Sequence, residues 1–300
     1  MIRSTVHPSR FGLGPAGLVR MWRMALGVLV LACAIGLSLA APLRAQTGQD
    51  TDRLEAFLSV TGFDKALESI ALSAGDAPLM LGRDVSEFGG DWTRAVAEIF
   101  DTELMHDMAI SILAKALEED LLTHAVDFYA SDLGQRLVAV ENAAHLSDDS
   151  DGARADGEAI IADLVRSGAP RLTILQRMGP AIDPKDTSVR AVEEIQVRFL
   201  LSASAAGVLP MELDEPALRS LMADQRGELR QRMRQSALIH AAHVYQSFSD
   251  ADLEAYVEAL EHPKMQRVYE LMNGIQYEIM ANRFEVLARR MADLHPGEEL

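Results

Sequence analysis

Apolar residues recur at helical spacing along almost the whole chain. Leu253, Val257 and Leu260 follow the i, i+4, i+7 pattern, and Met265, Val268, Met272, Ile275 and Ile279 continue it. No stretch alternates with a period of two, as a half-buried strand would. Aromatic residues make up only 5% of the chain, and helix-favouring Ala, Leu, Met, Glu and Arg dominate. The sequence therefore predicts an all-α fold: tandem helical-hairpin units in an irregular multi-helix bundle with no β-sheet.

The apolar spacing and the positions of Gly, Pro and Asp predict where helices begin and end. Short helices are expected at 52–60, 63–74, 78–88 and 92–100. Longer helices are expected at 103–117, 119–130, 132–146, 156–167, 170–178, 188–206, 215–247, 250–261 and 263–294. Breaks are expected at 61–62, 89–91, 147–152, 179–186 and 207–210.

Residues 1–45 have the layout of a cleavable signal peptide. They contain five arginines and no acidic residue, with an apolar run from Ala25 to Ala41 and a small-residue cleavage site ending at Ala45. A single-pass anchor is an alternative, but the run is short for a span of about 20 residues. Lipidation of Cys33 is another alternative. We expect a periplasmic or secreted protein with no stable membrane insertion after cleavage.

The charge balance excludes several classes of partner. The chain has a net charge of −17, and loss of residues 1–45 leaves 23 Lys and Arg against 45 acidic residues, a net charge of −22. Such a surface repels nucleic acid and anionic membranes. Cleavage after Ala45 also removes the only cysteine, so disulfide and thiol chemistry are not expected in the mature chain.

One predicted helix carries a local basic stripe. Its arginines are Arg219, Arg226, Arg230, Arg232 and Arg234. They predict either an exposed face neutralised by acidic residues elsewhere in the protein or a patch for an anionic partner.

The chain divides into two predicted helical units. The first spans 46–178, a linker spans 179–187, and the second, degenerate unit spans 188–300. Sliding the sequence by 131 positions aligns the two units without a gap, as an internal repeat would. Examples are Leu122 with Leu253, Gln135 with Gln266, and Asn142 with Asn273.

The most distinctive segment of the first unit is a predicted joint between two helices. It contains Phe128, Tyr129, Ser131, Asp132, Gly134 and Gln135. The second copy has Pro263 where the first has Asp132, and proline suits the first turn of a helix. Ser131 is therefore predicted to be the N-cap of the following helix, with Asp132 at its positively polarised N-terminus. Gly134 has no explanation in this alignment, because Met265 occupies the matching position.

The joint resembles the motif of the domain-of-unknown-function 2059 family (DUF2059). Members of that family commonly have Phe-Tyr-x-Ser/Thr-Pro-x-Gly between two helices, and the similarity covers residues 103–146, with a degenerate copy near 236–280. Asp132 departs from the family's proline, and the second copy has Leu260 and Met265 for the tyrosine and glycine. The resemblance implies an all-helical protein exported to the bacterial cell envelope. It implies no catalytic residues.

Two segments resemble metal sites in part. The acidic segment from Ser147 places Asp149, Asp151 and Glu158 at positions three, five and twelve of a calcium loop, although Ser147 replaces the usual aspartate at position one. His240 and His243 share one helix face and suit zinc, but no third ligand is identifiable. A solvated acidic hinge and two ordinary polar positions are the alternatives.

The sequence offers little support for catalysis. The segment Gly12–Gly17 matches a dinucleotide fingerprint, but it precedes the apolar run and follows no strand. No Gly-x-Ser-x-Gly elbow is present. We therefore expect a non-enzymatic protein without a cofactor, which binds a protein partner or a small apolar ligand between helices. The alternative is a calcium- or zinc-binding protein, or a hydrolase that uses Asp127, Tyr129 and Ser131 at the 127–135 joint.

Overall fold

The computed structural model describes residues 47–147 and 149–294, and these contain helices and connecting turns with no strand. The α-helices are α1 (Thr47–Thr61), α2 (Phe63–Ala74), α3 (Asp91–Ile99), α4 (Thr102–Ala116), α5 (Glu119–Tyr129), α6 (Asp132–His145), α7 (Ser150–Ser167), α8 (Arg171–Ile182), α9 (Thr187–Ala205), α10 (Glu215–Val244), α11 (Asp250–Glu261) and α12 (Pro263–Leu294). The predicted all-α class is confirmed. The predicted signal peptide, Cys33 and the Gly12–Gly17 segment lie outside the described residues.

Several helix starts fall where local capping chemistry predicts them. Helices α5, α6, α10, α11 and α12 begin at the expected residues. Ser249 and Asp214 accept hydrogen bonds from backbone N–H groups in the first turns of α11 and α10. Pro263 is the first residue of α12, where its missing N–H leaves no hydrogen bond unmade.

The helix predicted at 78–88 is wrong. The chain instead forms two short 3-10 segments, Ala77–Leu81 and Val85–Phe88. Gly82 ends the first with φ of 70°, a left-handed conformation that glycine adopts without strain. Asp84 starts the second through a reciprocal capping box with Glu87.

The predicted acidic loop is shorter than expected, because α7 begins at Ser150 rather than near residue 156. Asp149 is its N-cap and accepts a hydrogen bond of 2.9 Å from Gly152 N–H. A capping aspartate satisfies a first-turn donor and complements the helix dipole, which explains the earlier start.

The predicted break at Gly179-Pro180 is also wrong, since α8 continues through Pro180 to Ile182. A proline this close to the end of a helix removes one hydrogen bond and disturbs few later turns. Asp183 then makes the turn into α9. Its buried carboxylate accepts hydrogen bonds from the backbone and hydroxyl groups of both Thr187 and Ser188.

Helix α12 is the central element of the bundle. It packs most extensively against α9 and also contacts α3, α4 and α5 from the first predicted unit. Phe284 of α12 meets the ring edges of Phe100 and Phe199 at centroid distances of 5.2 and 6.0 Å. One continuous apolar core therefore joins helices from both sides of the predicted linker.

Within residues 47–147 and 149–294, no helix combines the length and the apolar character needed to cross a membrane.

Candidate ligand-binding site

A cavity of about 650 Å³ lies where helices of both predicted units meet. The α1–α2 turn, α6, α8, α10 and α12 all contribute to its wall, and so does the segment between α8 and α9. The predicted linker is thus one side of the cavity.

Most of the wall is apolar. It includes Leu175 and Met178 from α8, Met233 and Leu238 from α10, and Val268 and Met272 from α12. Three of these side chains are methionines, whose flexible thioether groups adapt to guests of different shape. The middle of the cavity can therefore accept an apolar group.

A glutamate surrounded by tyrosines provides the polar part of the lining. Glu141 of α6 accepts hydrogen bonds at Oε1 from the hydroxyls of Tyr245, at 2.6 Å, and Tyr256, at 2.9 Å. Tyr269 OH lies 3.3 Å from Tyr256 OH and 2.5 Å from Tyr129 OH. Four of the five tyrosines of the chain therefore gather around one carboxylate.

The hydroxyl protons of this tyrosine cluster all point towards Glu141 when it is ionised. Each hydroxyl has one proton to donate. Tyr256 donates to Glu141, so Tyr269 must donate to Tyr256, and Tyr129 must donate to Tyr269. Tyr245 donates to Glu141 from another side. The cluster is a chain of donors that ends on a single acceptor.

Burial nevertheless raises the pKa of Glu141 above its usual value, because the protein interior solvates the carboxylate less well than water does. The hydrogen bonds from Tyr245 and Tyr256 act in the opposite direction and are the smaller effect. Burial also raises the pKa of Tyr129, so its hydroxyl stays protonated at neutral pH.

Two asparagines that the predicted repeat aligns also line the cavity. Asn273 is 1% exposed, and its Nδ2 has no hydrogen-bond partner within the described part of the chain. Asn142 Oδ1 is likewise buried without a partner among these residues. Buried polar atoms are usually satisfied, so these two are exceptions beside the cavity, and each is shielded from it as it lies.

Two histidines complete the polar lining. Burial lowers the pKa of His145 to about 4. Burial, with smaller contributions from the nearby His145 and His243, lowers the pKa of His240 to about 4 as well. Both imidazoles are therefore neutral at pH 7.

The rim of the cavity carries an ion-pair cluster. Asp186, at φ of 50° in the left-handed region, lies between Arg230 and Arg234. Its Oδ2 is 3.3 Å from Arg230 Nε and 2.5 Å from Arg234 Nη2. Two guanidinium groups therefore share one carboxylate, which leaves this cluster with one net positive charge.

The predicted joint forms as expected, and only part of it faces the cavity. Ser131 is the N-cap of α6 and accepts a 3.1 Å hydrogen bond from Gly134 N–H, which confirms the predicted cap. Tyr129 is buried at the cavity, whereas Asp127 and Ser131 are exposed. These three residues do not converge on one point, as a hydrolytic site would need.

Gly134 is explained by a close backbone approach. A Cβ at this position would lie 2.3 Å from Phe128 O and 2.6 Å from Tyr129 Cα. Gln135 Nε2 donates a hydrogen bond of 2.6 Å to Tyr129 O. Phe128 stacks on Tyr256 with ring centroids 5.9 Å apart. The joint therefore fixes the end of α5 and with it the position of Tyr129.

Asp132 of the joint motif lies in the first turn of α6. It is 3.4 Å from Arg136 Nε, and Arg136 also pairs with Asp252 at 3.0 Å. These ion pairs are on the surface and link α6 to the start of α11.

No group of three or more His, Cys, Asp or Glu side chains in the described ranges 47–147 and 149–294 is placed to hold a metal ion. Asp149 is the N-cap of α7, and Asp151 lies in its first turn. Glu158 pairs with Arg154 at 2.7 Å. His243 hydrogen-bonds Asp156 at 2.9 Å, while His240 lines the cavity.

The basic stripe of α10 is distributed over several ion pairs. Arg219 pairs with Glu194 and Glu215, Arg226 with Glu193, Arg232 with Glu228, and Arg230 and Arg234 with Asp186. An anionic partner would have to compete with these carboxylates.

Sequence reasoning found Tyr129 and missed Glu141, Tyr245, Tyr256 and Tyr269. Tyr245 and Glu141 are 104 positions apart, and helical spacing carries no information on which helices become neighbours. The aligned pair Asn142 and Asn273 was the available signal.

The fold and the cavity define an all-α protein with an internal site of ligand size. Residues 103–163 match the model of DUF2059, described as an uncharacterized protein conserved in bacteria. The match begins at residue 103, as the motif predicted. It extends beyond the predicted end at residue 146 to residue 163, which lies in α7. Comparisons with curated proteins and with solved structures gave no match.

Proposed function

We propose that this chain is an exported, non-enzymatic helical protein that binds a small amphipathic ligand in the cavity. The cavity itself carries the proposal. Its volume of about 650 Å³ lies within the range of roughly 300 to 1,000 Å³ that is common for small-molecule sites. Its apolar wall and localised polar groups suit a ligand with an apolar body and a polar head.

The polar groups of the cavity support a binding role. Asn142 and Asn273 leave buried polar atoms without partners among the described residues, which costs stability unless something satisfies them. After a small movement of either side chain, a guest that donates to Asn142 Oδ1 or accepts from Asn273 Nδ2 would remove this cost.

The joint supports a non-enzymatic role. Ser131 is engaged as a cap, Gly134 accommodates the end of α5, and Gln135 holds the carbonyl of Tyr129. Each residue of the motif has a structural task, and no base lies in hydrogen-bond contact with the Ser131 hydroxyl among the described residues.

An internal repeat is part of the proposal. Helices α5 and α6 begin at Glu119 and Asp132, and α11 and α12 begin at Asp250 and Pro263, each 131 positions later. This agreement supports two related hairpins, with the cavity between them and the helices around them.

Export rests on the basic and apolar layout of residues 1–45. If the protein is expressed from its full coding sequence in a bacterium, the periplasmic fraction should contain a chain that begins at Gln46. N-terminal sequencing measures this. An unprocessed chain in the cytoplasmic fraction would contradict export.

Binding in the cavity can be tested with Nile red, a neutral fluorescent probe of apolar sites. The purified protein should bind it saturably with one high-affinity site per chain. Ala237→Trp, which places an indole at the cavity wall on α10, should abolish this site. Ala223→Trp is the matched control, because Ala223 is exposed on the same helix outside the cavity. Equal binding by both variants, or no saturable binding by the unmodified protein, would contradict the proposal.

A further inference from the structure

We infer that the ligand's polar head is a primary amine in its ammonium form, and that it binds Glu141 at the tyrosine cluster. This inference rests on the proposed function and names the class of ligand.

The two oxygens of Glu141 are used unequally. Oε1 accepts hydrogen bonds from Tyr245 and Tyr256. Oε2 accepts no hydrogen bond among the described residues, and Glu141 is part of the cavity wall. One carboxylate oxygen is therefore available to a guest.

No cation of the described chain neutralises Glu141. The ion pairs of residues 47–147 and 149–294 do not include it, and no Lys or Arg contributes to its pKa. The neighbouring imidazoles of His145 and His240 are neutral at pH 7, because burial lowers the pKa of each to about 4. A buried carboxylate without a cationic partner is costly, and a ligand cation would compensate it.

The direction of the hydroxyl protons selects the sign of the ligand charge. All four protons of the tyrosine cluster are already donated along the chain that ends at Glu141. The cluster thus offers a guest an acceptor and no spare donor. A carboxylate or phosphate head would meet the negative charge of Glu141, whereas an ammonium head would donate to Oε2.

The apolar wall determines which chemical class the body of the ligand belongs to. Leu175, Met178 and Met233 line the same cavity as the cluster, so the amine should carry an alkyl or aryl body. The Arg230 and Arg234 guanidinium groups share the carboxylate of Asp186, and neither pairs with Glu141.

Three probes with the same chain and different heads test the inference: decylamine, decanol and decanoate. Each should compete with Nile red at pH 7, below its critical micelle concentration. Decylamine should bind at least about tenfold more tightly than decanol, and decanoate most weakly. Glu141→Gln keeps the shape and an acceptor for the tyrosines but removes the charge. It should weaken decylamine about tenfold and change decanol less than about twofold.

Asp186→Asn is the control for a second carboxylate that lines the cavity, and it should leave the affinity for decylamine within about twofold. Equal affinities for the three heads, a preference for decanoate, or loss of amine binding in Asp186→Asn but not in Glu141→Gln would overturn the inference while the proposed function stands. Failure of Nile red itself to bind would overturn the proposed function.

Discussion

Tyr129, the last residue of α5, and Tyr269, in α12, bring their hydroxyl oxygens to 2.5 Å from one another across 140 positions of sequence. The contact joins the family-like joint to the central helix and places both hydroxyls in the proton chain that ends at Glu141. It therefore connects the most distinctive motif of the sequence with the polar part of the cavity.

Removing either hydroxyl should destabilise the protein, because the partner loses a buried hydrogen bond. Tyr129→Phe and Tyr269→Phe should each lower the free energy of unfolding by about 1 to 2 kcal/mol. In the double variant the losses should fall short of additivity by about 1 kcal/mol. Urea unfolding gives the free energy of unfolding of the unmodified protein, the two single variants and the double variant. Strict additivity would show that the hydroxyls do not interact.

The distant N-cap Ser249 provides a control for that cycle. Ser249→Ala removes the cap of α11 and shares no partner with Tyr129. Its effect should add to that of Tyr129→Phe within about 0.5 kcal/mol.

Gly134→Ala should be strongly destabilising. The new Cβ would lie 2.3 Å from Phe128 O, and a backbone atom cannot move away as the end of a side chain can. We expect a loss of at least about 2 kcal/mol. Gly227→Ala in α10 is the matched control: nothing lies within 4 Å of its Cβ, and the higher helix propensity of alanine should give a gain of up to about 1 kcal/mol. Similar effects of both changes on thermal unfolding would contradict the close approach.

Ser131→Ala should cost about 1 kcal/mol through loss of the cap of α6. Ser131→Asp should restore most of the stability, because aspartate is an equally good N-cap. An unchanged melting temperature in Ser131→Ala would mean that the hydroxyl has another role.

Acid should destabilise the protein through the buried histidines. The pKa of His240 is about 4 in the folded protein and about 6.5 in an unfolded chain, so between these values the unfolded chain binds a proton that the folded one excludes. The free energy of unfolding must fall as the pH decreases through this window. Between pH 7 and pH 5 the contribution of one such histidine is about 2 kcal/mol.

The variant His240→Gln isolates this contribution. Between pH 7 and pH 5, its free energy of unfolding, measured with urea, should fall by about 2 kcal/mol less than that of the unmodified protein. The difference cancels the background from other groups, including Glu141, whose raised pKa acts in the opposite sense. Parallel pH profiles would show that His240 titrates normally.

Features decided by a few neighbouring residues were predictable from the sequence. Ser131, Ser249 and Pro263 mark helix starts through capping chemistry that needs no tertiary information. The prediction was wrong where two local rules competed, as at Pro180, which lies in the last turn of a helix, and at Asp149, which caps a helix that begins early.

The cavity could not be predicted from local sequence patterns. Glu141 lies in a helix whose spacing predicts only that one face is apolar, and its partners Tyr245 and Tyr256 come from helices 104 and 115 positions away. Which helix faces enclose a cavity depends on how the whole bundle packs, with α12 at its centre. The sequence singled out Tyr129, His240 and the aligned pair Asn142 and Asn273, but it did not indicate that they meet at one cavity.

In our proposal the cavity binds an amphipathic amine with its nitrogen at Glu141. A crystal structure of the full protein with 10-bromodecylamine tests it most directly, because anomalous scattering locates the bromine independently. We expect the nitrogen about 3 Å from Glu141 Oε2 and the bromine among the side chains of the apolar wall. A bromine at the tyrosine cluster, or a ligand bound outside the cavity, would contradict the account.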